Sequence, residues 1–124
     1  MRNRKIKELD SIFSKYIRLR DCNKNGRCIS CNSPISYSTC DAGHFISRRH
    51  MSTRFCGYNV NAQCVECNRF KNGNIENYRN GLIRKYGEGI VKMIETNSNS
   101  IMKVTTEEIQ SLIEFYKKEI KEYE

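Results

Sequence analysis

Apolar residues recur over the first twenty positions at Ile6, Leu9, Phe13, Tyr16, Ile17 and, one place out of step, Leu19, with basic residues between them. The interval is close to the 3.6-residue helical period, so Arg2 to Asp21 is predicted as an amphipathic helix whose apolar stripe covers a core. The Asn- and Gly-bearing stretch Cys22 to Gly26 ends it in a turn. From Arg27 to Tyr37 the chain passes Cys28, Cys31 and Asn32-Ser33-Pro34 into an alternation at Ile35 and Tyr37. That pattern predicts a knuckle leading into a strand, which continues after a turn through Cys40 to Ile46. Alternation then puts Phe45 on one face and His44 with Ile46 on the other. Ser47 to Ala62 shows little periodicity and reads as a basic loop. Gln63 to Phe70 is predicted as a short helix, because Cys64 and Cys67 at i and i+3 then share a face.

A further helix is expected from Ile75 to Tyr86, ended by Gly87 and Gly89, then a shorter one from Ile90 to Glu95 and a loop over Asn97 to Ser100. Thr105-Thr106-Glu107-Glu108 is a capping-box signature, with Thr105 and Glu108 exchanging bonds to each other's backbone amides. The helix it opens carries a stripe at Ile109, Leu112, Ile113, Tyr116, Ile120 and Tyr123. Packing within the domain is the expected use of that stripe, and pairing with a second subunit is the alternative. At 124 residues the chain is one domain of the α+β class, with an N-terminal helix (1–21), a zinc-bound core (22–74) and C-terminal helices (75–124).

Charge adds a direction. Residues 1–62 hold 12 Lys/Arg against 4 Asp/Glu, and residues 63–124 hold 10 against 10, so the whole excess of +8 lies in the first half. A basic balance concentrated on part of a small domain is the footprint of a nucleic-acid binder, since such side chains displace counterions from phosphates. A solvated, solubilising surface would look the same by charge alone. Arg2, Arg4, Lys5 and Lys7 offer a DNA-tracking arm as a second use of the first helix, whereas the last segment, with 6 Glu against 3 Lys, is a poor DNA contact. There is no apolar leader near Met1 and no apolar run of membrane-spanning length, so a cytoplasmic protein without membrane contact is expected. In that compartment paired CxxC motifs are metal ligands more often than disulfides.

Cys28, Cys31, Cys64 and Cys67 supply the four thiolates of a closed tetrahedral zinc site, which holds the fold and keeps no position open for chemistry. The remaining Cys22, Cys40 and Cys56 read as thiols without a role, and Cys22 or Cys40 in place of one of the four ligands is the alternative. The 32 residues between Cys31 and Cys64 must form a structured insert. That insert, with the residue after Cys67, holds what phosphodiester cleavage needs: oxygen ligands for one hard divalent ion and a base for water. Asp41 offers a carboxylate, and Asn68, next to Cys67, an amide oxygen. His44 offers an imidazole that is mostly neutral at pH 7. Asn59 is placed to bond across the loop and pin the strand carrying His44. Arg48, Arg49, Arg54, Arg69 and Lys71 are candidate phosphate contacts, and His50 is a further phosphate contact or alternative base.

His44, then Asn59-Val60, then CVECNRFK resembles the HNH, or ββα-metal, nuclease pattern. Over Leu9 to Gly89, with LRD, DAGHFISRRHMSTR, QCVECNRFKNGN and KYGEG, the chain is more closely similar to the phage lambda NinG (Rap) recombination family. The resemblance implies a small zinc-bound ββα-metal (HNH-like) core with flanking helices. It also implies a structure-selective endonuclease for Holliday junctions and related branched DNA in phage recombination. His44 would be the base, Asp41 and Asn68 the ligands of a catalytic Mg²⁺ or Mn²⁺, and Asn59 the loop anchor. Gly43 stands where many HNH enzymes have Asp, so the carboxylate comes from Asp41. A D-x-x-H spacing is similar to that of the T4-type phage junction-resolving endonuclease. Symmetric cutting of a junction needs two sites, so a homodimer is expected. The alternatives are a general HNH nicking enzyme without junction preference and a non-catalytic zinc DNA-binding module.

Overall fold

The structure, a computed structural model, describes residues 2–98 and 103–124. Helix α1 (Arg2–Asp21) buries Ile6, Leu9, Phe13 and Ile17, the stripe its periodicity predicts. Helix α5 (Thr106–Lys121) starts at a full capping box: Thr105 Oγ1 accepts from Glu108 N at 3.1 Å and Glu108 Oε1 accepts from Thr105 N at 3.3 Å. Its Ile109 and Ile113 pack on α1, together with Val60. An aromatic cluster extends the contact, with Phe13 ring centroids 4.9 Å from Tyr116 and 5.8 Å from Phe55. The apolar stripe of α5 is therefore used within the chain. The first turns of α1 are held to the same segment, by Arg2 to the Val104 carbonyl and Lys5 to Gln110, so these cations do not form a detached arm.

Strands β1 (Cys40–His44) and β2 (Val60–Cys64) form one antiparallel hairpin, with Asp41 opposite Gln63, Gly43 opposite Asn61 and His44 opposite Val60. Here the structure departs from the sequence reading. Val60–Ala62 belongs to a strand and not to a basic loop, and Gln63 and Cys64 end that strand and do not begin a helix. The physical reason is that both faces of β2 are covered: Val60 and Ala62 face the α1 side, while Asn61 and Gln63 are wholly buried, each donating from its amide nitrogen. The loop between the strands also contains a single helical turn, α2 (Met51–Arg54).

Beyond Cys64 the chain winds a wide π-helical turn, Glu66–Phe70, and then reverses through Asn72, Gly73 and Asn74, all at positive φ. Asn tolerates that left-handed region and Gly occupies it freely, which is what permits so tight a reversal. Helix α3 (Ile75–Tyr86) matches its predicted bounds, and α4 (Glu88–Asn97) runs longer at both ends than expected. Of the loop expected over Asn97–Ser100, Asn97 closes α4, Ser98 caps it, and positions 99–100 lie outside the described residues. Tyr78, Leu82, Val91, Ile94 and Phe45 make a second core on the far side of the hairpin from α1. Deep burial pushes the Tyr78 phenol far up, so its neutral hydroxyl donates to the Gly43 carbonyl at 2.7 Å and ties α3 to β1.

Candidate functional site

Cys28 and Cys31 flank a knuckle closed by the Asn32 amide bonding back to the Cys28 carbonyl at 2.8 Å, with Asn32 in the left-handed region. Cys64 ends β2, and Cys67 lies in the π-helical turn. The four Sγ atoms lie within 4.8 Å of one another. Tetrahedral zinc with bonds of about 2.3 Å needs sulfurs roughly 3.8 Å apart, and Cys31 and Cys64 stand at 3.7 Å. Four thiols this close cannot all ionise unaided. Against the opposing effect of burial, Ser33 and the neighbouring sulfurs draw Cys31 down to about 6, while burial pushes Cys67 up to about 12. The cluster can hold a metal ion such as zinc. Cys22 and Cys40 form a separate pair, 3.6 Å apart, and so replace none of the four; Cys56 joins neither group.

Beside the cluster, Asp41 and Asn68 meet: Asn68 Nδ2 donates to Asp41 Oδ2 at 2.9 Å. Arg69 closes a two-pronged pair on the same carboxylate, both bonds 2.9 Å. Partial burial acts to raise the Asp41 pKa, but the Arg69 and Asn68 bonds outweigh it and hold the carboxyl below its usual range. Arg69, predicted as a phosphate contact, is thus the counter-ion of Asp41. The wide turn explains the placement, since it puts Cys67 inward and Asn68 and Arg69 over the hairpin within three consecutive residues.

His44 ends β1 and is half-buried. Its Nε2 lies 3.0 Å from the Arg54 carbonyl oxygen. A carbonyl only accepts, so Nε2 carries the proton and Nδ1 keeps the free lone pair in the neutral ring. Burial is the main reason its pKa falls below the ordinary value, with the Arg54 carbonyl working the other way. His44 and Asn68 line one cleft with Ala42, Arg48 and Ile75, and Asp41, Asn68 and Ala42 line the next, so Asn68 joins the two. Asn59 is fully buried and spans the loop: Oδ1 accepts from Ile46 N at 2.8 Å, and Nδ2 donates to the carbonyls of Ile46 and Thr53 at 3.0 and 3.1 Å.

The remaining predicted residues divide. Arg48 and Arg49 are exposed beside His44, Arg48 lining its cleft. Arg54 instead pairs with Asp10 at 3.0 and 2.5 Å, a partner 44 positions away that nothing in the sequence pattern marks. Lys71 is exposed and stands 3.9 Å from Glu66. His50 caps α2 and does not line the His44 cleft. One polar residue escaped notice. Gln63, wholly buried, presents Oε1 as the one buried side-chain nitrogen or oxygen without a hydrogen-bond partner among the described residues.

These features define a small α+β domain in which a four-cysteine cluster able to hold a metal ion lies beside a two-stranded hairpin, with Asn68 shared between an Asp41 cleft and a His44 cleft. The model of the family described as bacteriophage lambda NinG protein matches residues 1–124. Among relatives, ninG proteins of Escherichia phage 933W and Escherichia phage lambda are each 34% identical over 118 residues, 94% of this chain and 57% and 56% of theirs. That of Salmonella phage P22 is 33% identical over the same length. The chain belongs to the NinG family, and it spans a little over half the length of these relatives. No solved structure matches it. Among the described residues no helix is long and apolar enough to cross a membrane.

Proposed function

We propose that the chain is a zinc-braced DNA endonuclease of the HNH, or ββα-metal, kind that cuts Holliday junctions and related branched DNA during phage recombination in the host cytoplasm. One observation carries the reading: Asn68 joins a carboxylate, Asp41, to the cleft of a histidine whose Nε2–H is engaged by a backbone carbonyl. A histidine so held is a base oriented for work, with Nδ1 free and the ring neutral at pH 7. The succession of β1, β2 and a helical turn supports this reading.

In this reading the four cysteines hold zinc, and Asp41 with Asn68 holds Mg²⁺ or Mn²⁺, a donor set of hard oxygens suited to such ions. The ion, when bound, stabilises charge on the scissile phosphate and the leaving 3′ oxygen. His44 Nδ1 removes the proton from the attacking water. Asn59 keeps the loop that carries the Arg54 carbonyl in place, and so keeps the imidazole in one tautomer. Arg48 and Arg49 bind the flanking phosphates. Two symmetric cuts need two such sites, which makes a homodimer the working unit.

The test compares the protein and His44→Ala on a four-way junction, linear duplex and single-stranded DNA, with Mg²⁺ or EDTA. Mg²⁺-dependent cutting of the junction, lost in His44→Ala, is the expected result. No Mg²⁺-dependent cutting of any substrate would leave a zinc DNA-binding module, and equal cutting of all three would leave a general nicking enzyme. Sedimentation with the junction present, showing only monomer, would remove the dimer.

A further inference from the structure

Gln63 stands directly opposite Asp41 in the hairpin, so the two side chains share a face, with Cβ atoms about 5 Å apart. Its amide orientation is fixed by its partners. One nitrogen donates to Ser30 Oγ at 2.8 Å and to the Gly73 carbonyl at 2.7 Å. Since the Gly73 carbonyl can only accept, the nitrogen must face it, and Oε1 must face the other way. There it meets the space beside Gly43, with no donor to satisfy it. Burying an amide oxygen unpaired is unfavourable, and an apolar side chain of similar volume would avoid the penalty.

Gly43 makes the arrangement possible. A Cβ at that position would lie 1.8 Å from Gln63 Oε1 and 2.7 Å from its Cδ, so any side chain there would displace the amide. The same point lies 3.1 Å from Asn68 Oδ1. Two amide oxygens from different elements therefore converge on the side-chain space of residue 43, next to the Asp41 carboxylate that Asn68 contacts.

We propose that Gln63 Oε1 is a third protein oxygen for the divalent cation of the site, reaching across from β2 into the space that Gly43 leaves open beside Asp41 and Asn68. The assignment rests on the nuclease reading and deepens it. Two neutral amides and one carboxylate, which an ion would share with Arg69, leave the site with net positive charge, which favours an incoming phosphate in a way that two carboxylates would not.

The experiment measures Mn²⁺ binding to the zinc-loaded protein without DNA, by the fall in the free-ion paramagnetic resonance signal. Gln63→Ala is expected to weaken Mn²⁺ binding by at least the about tenfold that loss of a mere supporting group costs at metal sites, with the zinc content unchanged. The double variant Gly43→Asp, Gln63→Ala, in which a carboxylate grows into the vacated space, is expected to recover most of that loss. A purely structural glutamine would give no such recovery. Wild-type Mn²⁺ affinity in zinc-loaded Gln63→Ala, alongside loss of binding in Asp41→Asn, overturns the Gln63 assignment and leaves the nuclease reading standing. Absence of Mn²⁺ binding and of cleavage in the unaltered protein overturns both. Should Gln63→Ala fail to retain zinc, Gly43→Ala decides instead: its methyl group displaces the Gln63 amide without removing the Asp41 carboxylate, and unchanged Mn²⁺ affinity there also overturns the assignment.

Discussion

Asn59→Ala isolates one buried side chain whose contacts are all to backbone. The variant removes the acceptor for Ile46 N–H and both donors, to the Ile46 and Thr53 carbonyls. It leaves in place what the backbone of residue 59 does, since Phe45 N–H still reaches its carbonyl at 2.9 Å and the Tyr78 hydroxyl still reaches it at 3.3 Å. Each lost bond is worth about 1 kcal/mol net, and more where water cannot enter to replace it, so the expected loss is roughly 3 to 5 kcal/mol. For a domain of this size that is a fall in Tm of about 10 to 20 °C. The assay is urea denaturation of the zinc-saturated protein, with equal zinc content confirmed for both forms and the slope of the transition unchanged.

A second readout separates the anchor role from stability alone. Asn59 holds the loop whose Arg54 carbonyl receives the His44 Nε2–H, so loosening the loop should release the tautomer. The ¹⁵N shifts of the His44 ring are expected to report one tautomer in the unaltered protein and a mixture in Asn59→Ala. A loss under about 1 kcal/mol, or a single tautomer retained in the variant, would refute the reasoning, because three buried backbone groups cannot lose their partners that cheaply.

Zinc removal by a strong chelator is expected to abolish the cooperative thermal transition seen by circular dichroism, since four thiols so close together are clamped only when a metal holds them; an unchanged transition in metal-free protein would contradict it. For cleavage against pH, burial holds the His44 pKa below its ordinary value, and a base acts when neutral. Activity should therefore stay level from pH 7 to below 6.5 and fall only as the ring protonates, whereas a midpoint above 6.5 would contradict the assignment. The same shift gives His44 a contribution to stability that is present above 6.5 and lost as pH falls through its lowered value. Phe70, 77% exposed between Arg69 and Lys71, is placed to stack on an unpaired base. Phe70→Ala is expected to weaken binding of single-stranded DNA by about 1 to 3 kcal/mol in an electrophoretic shift and to leave duplex binding unchanged.

What the sequence made legible follows from which faces meet water. Helices α1, α3 and α5 each keep a polar face in solvent, so their apolar residues stand out at the helical period, and the Thr105 to Glu108 box marks the start of α5 directly. The cysteine cluster was legible from spacing alone, because metal ligands tolerate little variation in it. The short helical turn α2 was hidden in a basic loop, and the Asp10 partner of Arg54 has no local signal at all. Strand β2 is the instructive miss. Asn59, Val60, Asn61, Ala62 and Gln63 alternate strictly, but the polar set is as buried as the apolar one, so polarity suggested a loop where the alternation indicated a strand.

The burial of that polar set is also what ties fold to chemistry. Asn59 pins the loop at the end of β1, and Asn61 Oδ1 receives Arg20 and Lys85 from α1 and α3. Gln63 links the first knuckle to the turn after the second. Each inward polar residue of this segment thus joins two elements that hydrophobic packing alone would leave free to slide. Two of them, Asn59 and Gln63, flank positions the proposed reaction depends on, the His44 loop and the space beside Gly43. Cys64 directly follows Gln63, and Cys67 directly precedes Asn68, so the cysteine cluster adjoins both residues of the convergent pair. A wholly hydrophobic β2 could still lay Val60 and Ala62 on the α1 side, but it would strand the buried groups that Asn59, Asn61 and Gln63 now bond. It would leave the cleft without the rigid polar frame that holds Asn68 against Asp41 and His44 in one tautomer, and for that reason the polarity of β2, rather than its hydrophobicity, is the feature to vary in testing this protein.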